Sequence, residues 1–351
     1  MKSSFYSDFE TQSKEDWLKK IEFDLKGKSI EDLNKKLTEN WEISPFHARE
    51  DLKSKPTPLQ KYYDQCKIAA SFDIAEDHII DFMQDGLNNG LQSAIIENIS
   101  SLDQLKPLLE STELGDLSLV LRFKNKADYN AIEQLVGGSN DIFIDYSYTS
   151  NKIEDHLASK VKSFPLKLKA IDAGEMPEEI ANTLVHIVEA LDECPSEKAA
   201  DLLRSFWLEI DQGPIYYLEI ARIRAFRILW ANLIEDYGIK EDVSLPILTS
   251  VGQGVDQDDP YRNMIAYSTA GLYAIIGGAD LLNIHKLGQK EGKPSIKTQR
   301  RVVRNIQNIA HLESHIGKVN DPAAGSYALE NITTNLSKRS WQLFLQKTGS
   351  S

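Results

Sequence analysis

Thiols are scarce in this chain: among its 351 residues only Cys66 and Cys194 are cysteines. Their positions match no metal-ligand or redox spacing and give no disulfide framework, which points to a reducing cytosol. Long apolar runs are missing too. None approaches the roughly 20 residues that span a bilayer, and the opening MKSSFYSDFETQSKEDW has neither an apolar secretion signal nor an Arg-rich, acid-poor transit peptide. The expected location is therefore cytoplasmic, with no membrane partner. Positive charge is in deficit, with 40 Lys and Arg against 53 Asp and Glu for a formal net charge of −13. Nucleic acid and anionic membranes both require a concentrated cationic face, so neither is an expected partner. The one basic cluster, Lys297, Arg300, Arg301 and Arg304, recurs at helical spacing and reads as a solvated face. No serine elbow, phosphate loop, HExxH pair or metal-ligand spacing occurs, so no metal is expected.

What is present is the make-up of an ordinary globular protein, 41% hydrophobic and 26% charged, long enough for one large core. Residues 1–60 read as an arm. Its first part places Trp17, Leu18, Ile21 and Leu25 on one face of a helix started near Ser13, and Pro45, Pro56 and Pro58 then force an extended crossing. An apolar stripe outside the main repeat must pack against the arm's own barrel or against a partner subunit.

From 61 to 351, short apolar runs alternate with amphipathic stretches. Strands are expected at 66–74, 93–99, 117–123, 141–147, 166–172, 203–210, 245–251 and 279–285. Helices are expected at 76–88, 101–111, 126–135, 152–162, 177–192, 215–235, 261–276 and 298–312, with a further one at 327–346. Eight strand–helix units, without a glycine fingerprint after the first strand, predict an α/β fold of the closed (βα)8 TIM-barrel type with an N-terminal helical and extended arm. In the long helix, Ile220, Ile223, Arg224, Arg227, Ile228 and Ala231 alternate apolar and basic residues, a pattern of barrel packing. Chemistry in such a barrel belongs at the C-terminal strand ends. Those positions hold Asp73, Glu97, Arg122, Asp145, Tyr146, Lys169, Asp172, Glu209, Thr249, Ser250, Asn283 and His285. Asp172 and Glu209 can act as paired carboxylates only if the barrel brings them together. The plain reading is a set of polar residues around a solvated mouth.

Several words of the sequence carry a resemblance. They are Asp24-Leu25-Lys26-Gly27; Asp172-Ala173-Gly174; Tyr217-Leu218-Glu219-Ile220-Ala221-Arg222 through Arg224-Ala225 to Leu229-Trp230-Ala231; and Thr249-Ser250 with Asp258, Pro260, Tyr261 and Asn263. Gly277-Gly278 and then Asp321-Pro322 with Gly325-Ser326-Tyr327, Glu330 and Thr333 complete the series. In this order and spacing, from about Trp17 to the C-terminus, they resemble the barrel domain of the methylmalonyl-CoA mutases, which rearrange acyl-CoA skeletons by radical chemistry on coenzyme B12.

The resemblance also shows what is missing. The family's catalytic chain has a Gly-Tyr-His-type word before the Asp-Ala-Gly position, whose His donates to the thioester carbonyl; here Leu166 to Ile171 stands there, with Lys169 near the His position. The aromatic, Gly-rich segment that shields radicals has no counterpart between Tyr62 and Gly90, and Leu281-Leu282-Asn283-Ile284-His285 replaces the Ser-Leu-His-Thr-Asn word that faces the cofactor. Asn283-x-His285-x-x-Gly288 comes close to the D-x-H-x-x-G cobalt-ligand signature. It closes a barrel strand, however, with largely helical sequence after it, so the match reads as coincidence.

Radical rearrangement depends on excluding water from the mouth, and loss of all three features argues against catalysis. The resemblance thus implies a small, noncatalytic subunit whose barrel mouth, at Lys169, Asp172, Thr249, Ser250, Asn283 and His285, is degenerate. No cofactor is expected on this chain; adenosylcobalamin is expected in the partner, the large catalytic mutase subunit, clasped by the arm. The alternatives are a catalytic barrel that accepts B12 from a separate cobalamin-binding chain and catalyses a related acyl-CoA rearrangement with Lys169, Asp172 or His285 in place of the usual groups, and a free-standing sensor of a CoA-like ligand.

Overall fold

The structure is a computed structural model, and it describes residues 10, 12–38, 41–52, 59, 61–111, 117–125, 129–136, 141–146, 161–169, 172–252, 259–288 and 294–349. The arm opens with α1 (Lys14–Asp24), started by a capping box in which the Ser13 hydroxyl accepts from Asp16 N–H and the Asp16 carboxylate accepts from Ser13 N–H. A short antiparallel pair follows, β1 (Lys35–Thr38) and β2 (Trp41–Ile43). Trp41 is the arm's anchor: it is buried in the main core, with the Arg339 guanidinium over its ring.

Eight parallel strands then form one sheet: β3 (Lys67–Asp73), β4 (Ser93–Ile99), β5 (Ser118–Phe123), β6 (Ile142–Tyr146), β7 (Phe164–Leu168), β8 (Phe206–Asp211), β9 (Ile247–Val251) and β10 (Leu281–Ile284). Their order is β6-β5-β4-β3-β10-β9-β8-β7. The two end strands meet through a parallel bridge between Phe143 and Lys162, where Ile144 N–H donates to Lys162 O and Lys162 N–H donates to Ile142 O, both at 2.9 Å. The expected α/β barrel is the fold that forms. Around it lie α2 (Ile79–Asn88), α3 (Lys106–Ser111), α4 (Tyr129–Val136), α5 (Met176–Asp192), α6 (Ala199–Ser205), α7 (Tyr216–Asp236), α8 (Pro260–Gly277), α9 (Ile296–Asn308) and α10 (Tyr327–Thr348).

Two strand positions differ most from the sequence reading, while the strands expected at 245–251 and 279–285 each start two residues later. The expected strand at 203–210 begins only at Phe206, because Leu202 and Leu203 end α6, and one apolar run thus serves a helix and then a strand. The expected strand at 166–172 starts earlier and stops at Leu168, and Glu175 N–H bonds Asp172 O in the turn beyond it. The helix read at 152–162 lies outside the described residues except for Val161 and Lys162, and Lys162 belongs to the closing bridge.

Caps follow the chemistry of the chain. The Asp259 carboxylate accepts from Tyr261 and Arg262 N–H to open α8, Pro260 occupies its first position, and Gly278 ends it at φ +94°. Helix α7 is buried along most of its length, and three of its arginines pair inside the protein. Arg222 donates to Glu179 (2.6 Å), Glu219 (3.4 Å) and the carbonyls of Asp211 (3.1 Å) and Lys169. Arg224 pairs with Asp321 and Glu330 (2.8 Å), and Arg227 with Asp280 (2.7 Å) and Gly278 O (2.6 Å). Helix α10 lies across α5 and α7. The resemblance words on α7, at Gly277-Gly278 and at Asp321 with Glu330 therefore meet in space as packing and ion pairs.

The basic cluster on α9 departs from the expected solvated face. Lys297 and Arg301 are exposed, but Arg300 and Arg304 are 9% and 8% exposed. Arg300 lies over the Phe72 and Phe82 rings, donates to Ser71 O (2.9 Å) and pairs with Glu76, while Arg304 pairs with Asp85 (3.0 Å). A long basic side chain can bury its stem and still find a carboxylate, and spacing alone does not reveal that.

Candidate functional site

Alternation along the strands sorts side chains into those facing the helices and those facing the barrel axis. The axis is filled at three levels. At its N-terminal end, Tyr63 Oη donates to Asp141 (2.5 Å) and shares a hydrogen bond with Ser118 (3.1 Å), while Tyr62 Oη donates to the other Asp141 oxygen (3.2 Å). Lys67 sits 4.0 Å over the Tyr63 ring and bonds Ser118 (2.6 Å). The middle layer is apolar: Ala69, Ile95, Val120, Phe143, Trp207, Leu248 and Leu281.

Above it, toward the C-terminal mouth, lies an ionic layer centred on Arg122. Its guanidinium donates to Glu97 (3.2 Å) and Glu209 and stands 3.8 Å from Asp145. Lys167 donates to Asp145 (2.6 Å) and the Ser250 hydroxyl to Glu209 (3.0 Å). Burial works against charge on Arg122, but Glu209, Glu97 and Asp145 outweigh it and hold its pKa above the ordinary value. Asp211, at the end of β8, has the opposite balance. Burial first and then the charge of Glu209 push its carboxyl up to about 6, against the pull of Arg122, Arg222 and Lys167. Burial likewise lowers the His285 pKa, so its imidazole is neutral at physiological pH.

The six mouth residues expected from the sequence divide. Ser250, Asn283 and His285 face the axis, the first two paired in register on β9 and β10. Thr249 does not belong to the mouth. It lies between Leu248, in the axial layer, and Ser250, bonded to Glu209, so alternation turns it toward the helices. Lys169 and Asp172 are exposed beyond the end of β7; Lys169 is fixed through its backbone, its N–H donating to Glu179 (2.6 Å). Glu209 pairs with Arg122 and Ser250, so it forms no carboxylate pair with Asp172. The sequence reading missed Lys167 and Asp211. Extending the alternation of Trp207 and Glu209 by one step reaches Asp211, and starting β7 at Phe164 turns Lys167 inward.

A cleft of about 480 Å³ opens from the mouth beside β3, where Asp73, Glu97, Gly252 and His285 line it, toward Phe82 and Arg300 between α2 and α9. Among the described residues, no group of His, Cys, Asp and Glu side chains is arranged to hold a metal ion.

The sequence model for methylmalonyl-CoA mutase matches residues 169–349, just over half of the chain. This chain belongs to the methylmalonyl-CoA mutase family. It is 26% identical to the methylmalonyl-CoA mutase small subunit of Porphyromonas gingivalis over an alignment covering 98% of this chain and 64% of that one. It is 37% identical to the methylmalonyl-CoA mutase small subunit of Propionibacterium freudenreichii over 36% of this chain and 20% of the relative. It is also 32% identical to the methylmalonyl-CoA mutase of Cereibacter sphaeroides over 40% of this chain and 20% of that protein. The chain thus spans less than two thirds of each of these relatives. In the family match, the ionic framework of α7, α10 and the Asp321 turn lies inside the matched stretch, whereas Arg122 and Asp145 of the axial layer lie outside it.

Proposed function

We propose that this chain is a noncatalytic small subunit of a heterodimeric methylmalonyl-CoA mutase. Adenosylcobalamin and the interconversion of methylmalonyl-CoA and succinyl-CoA then belong to a large partner subunit. The observation that carries this reading is the filled axis. A radical enzyme must enclose its substrate in a dry cavity, and here Tyr63, Trp207 and the Arg122 ion network take up the barrel interior from floor to mouth.

The residues at the mouth do not fit the cofactor. A cobalt-ligating histidine depends on a partner that orients its ring through the other ring nitrogen, and Asn283, which stands at the Asp position of that signature, makes no side-chain hydrogen bond, so it does not orient His285. No contact to cobalamin is assigned to this chain. Lys169, which the resemblance places near the thioester-donor position, is exposed outside the axial layer. Two further points support the subunit reading: the relative aligned along nearly the whole chain is named a small subunit, and Trp17, Leu18, Ile21 and Leu25 of the arm are only half-buried by the chain itself.

Co-expression of the tagged chain with the large mutase subunit of the same genome, followed by mass determination, tests the proposal. The expected result is a one-to-one complex. Its mutase activity survives Lys169→Ala and His285→Ala here and is lost when the large chain's thioester-donor His is replaced. A chain that purifies alone and binds cobalamin by itself would overturn the proposal in favour of a split catalytic barrel.

A further inference from the structure

The cleft between α2 and α9 carries an arrangement that the subunit role does not use. Its walls include Phe72, Phe82, Leu91, Ile284 and Val303, and its volume of about 480 Å³ is that of a small-ligand pocket. By alternation from Ala69 and Leu281 of the axial layer, Phe72 and Ile284 fall on the helix side of the sheet, so this apolar part lies outside the filled axis. Arg300 and Arg304 line the same cleft, one turn and about 6 Å apart along α9. They are 9% and 8% exposed. Arg300 pairs with Glu76 and donates to Ser71 O (2.9 Å), and Arg304 pairs with Asp85 (3.0 Å), yet the buried Nε of each has no partner. The hydroxyl of Ser71, which also lines the cleft, has none either. The α7 arginines leave Nε unpaired too, but Arg300 and Arg304 do so beside an open volume. A buried donor without an acceptor is costly, and three at one cavity mark a place completed by something else.

Charge and the apolar walls define the ligand. Lys286 and Arg300 share the single carboxylate of Glu76, so two cations meet one counter-ion there. Burial lowers the Arg300 pKa, and the attraction of Glu76 does not make up for it. The two carboxylates among the lining residues are engaged elsewhere: Asp73 accepts from Asn98 (2.6 Å) and from Ala75 N–H (3.0 Å), and Glu97 accepts from Arg122 (3.2 Å). Both lie on the axis side of the sheet, by alternation from Ala69 and Ile95. The unpaired groups beside the apolar walls are therefore two guanidinium donors and a hydroxyl. They favour an anion over a cation, and a guanidinium matches a carboxylate in shape.

We infer that this cleft is a binding site for a small carboxylate with an apolar body, its carboxylate at Arg300 and Arg304 and its body along Phe72, Phe82 and Ile284. Because the measurement uses the full-length chain by itself, its outcome is separate from that of the subunit reading.

The test is calorimetric titration at about pH 7, where carboxylates are ionised, with hexanoate, the matched cation hexylammonium, uncharged hexanol, and inorganic phosphate as an anion without an apolar body. Saturable one-to-one binding of hexanoate is expected, at least about tenfold tighter than that of the other probes. Arg300→Gln and Arg304→Gln should each weaken it at least about tenfold. Arg301→Gln, which removes the same charge from an exposed position of α9, should leave it unchanged. Asp85, the partner left behind by Arg304→Gln, is half exposed, so that variant is expected to fold, which circular dichroism checks. No binding of hexanoate, equal binding of hexylammonium, hexanol or phosphate, or hexanoate binding that survives both cleft variants would overturn the inference.

Discussion

Arg222 ties together four parts of the barrel. Its side chain is wholly buried, and its donors reach Glu179 on α5, Glu219 on its own helix, and the carbonyls at the ends of β7 and β8. Removing one partner of a buried pair strands the other charge, which costs more than the pair itself contributes. Arg222→Ala should therefore destabilise the protein by about 3–5 kcal/mol in chemical denaturation. Arg222→Met, which keeps the volume, should cost nearly as much, because Glu179 and Glu219 remain. Asp211 gives a pH signature of the opposite kind. Its folded pKa, about 6, lies above the ordinary 3.8, so the folded state holds this proton more tightly than the unfolded one. The stability it contributes is complete below the ordinary value and is lost as pH rises through about 6. Stability measured from pH 4 to 7 should therefore fall more steeply in the wild type than in Asp211→Asn, and identical slopes would refute the assignment.

At the scale of elements, the junction between β9 and α8 is set by close approach. Gly252, just beyond β9, has φ +108°, and a Cβ there would stand 2.8 Å from the Tyr267 ring of α8. Backbone strain and overlap with a buried ring act together, so Gly252→Ala should cost about 2–3 kcal/mol, read from the denaturation midpoint. The arm is the reverse case. Helix α1 has no buried residue and is held by the Lys14–Asp51 pair and a Trp17–Phe46 stack at 3.8 Å. Deleting residues 1–26 should lower the stability of the isolated chain by no more than about 1 kcal/mol while clearly weakening association with a large subunit. Unchanged association would remove the clasp from the proposal. The Trp17 face was legible as an apolar stripe, but only the fold shows that the barrel leaves it half open.

At the scale of the whole molecule, the barrel closes unevenly. Between β3 and β4 five residue pairs stand in register, whereas among the described residues β6 and β7 are joined through the single bridge of Phe143 and Lys162. Opening should begin at that seam. The Ile144 and Lys162 amides, which carry its hydrogen bonds, should exchange with solvent at least about 100-fold faster than those of Phe72 and Ile96. Comparable protection would mean that the barrel opens only as one unit.

Strand–helix alternation, the caps and the α7 motif were legible in the sequence, because periodicity and end chemistry are local properties. They determined a (βα)8 barrel with an arm, and the family words within it. Strand ends were less legible: one apolar run holds both the end of α6 and the start of β8, and a shift of β7 by two residues moved attention from Lys167 to Lys169. What lies along the axis was decided only by tertiary structure. Arg122, Asp145, Glu209 and Tyr63 come from distant parts of the chain, and nothing in their local sequence says that they converge. Hydrophobic pattern acts between near neighbours in sequence and fixes the elements. The pairing of buried charges acts between elements, so whether the mouth is a passage or a plug is settled only when the sheet closes.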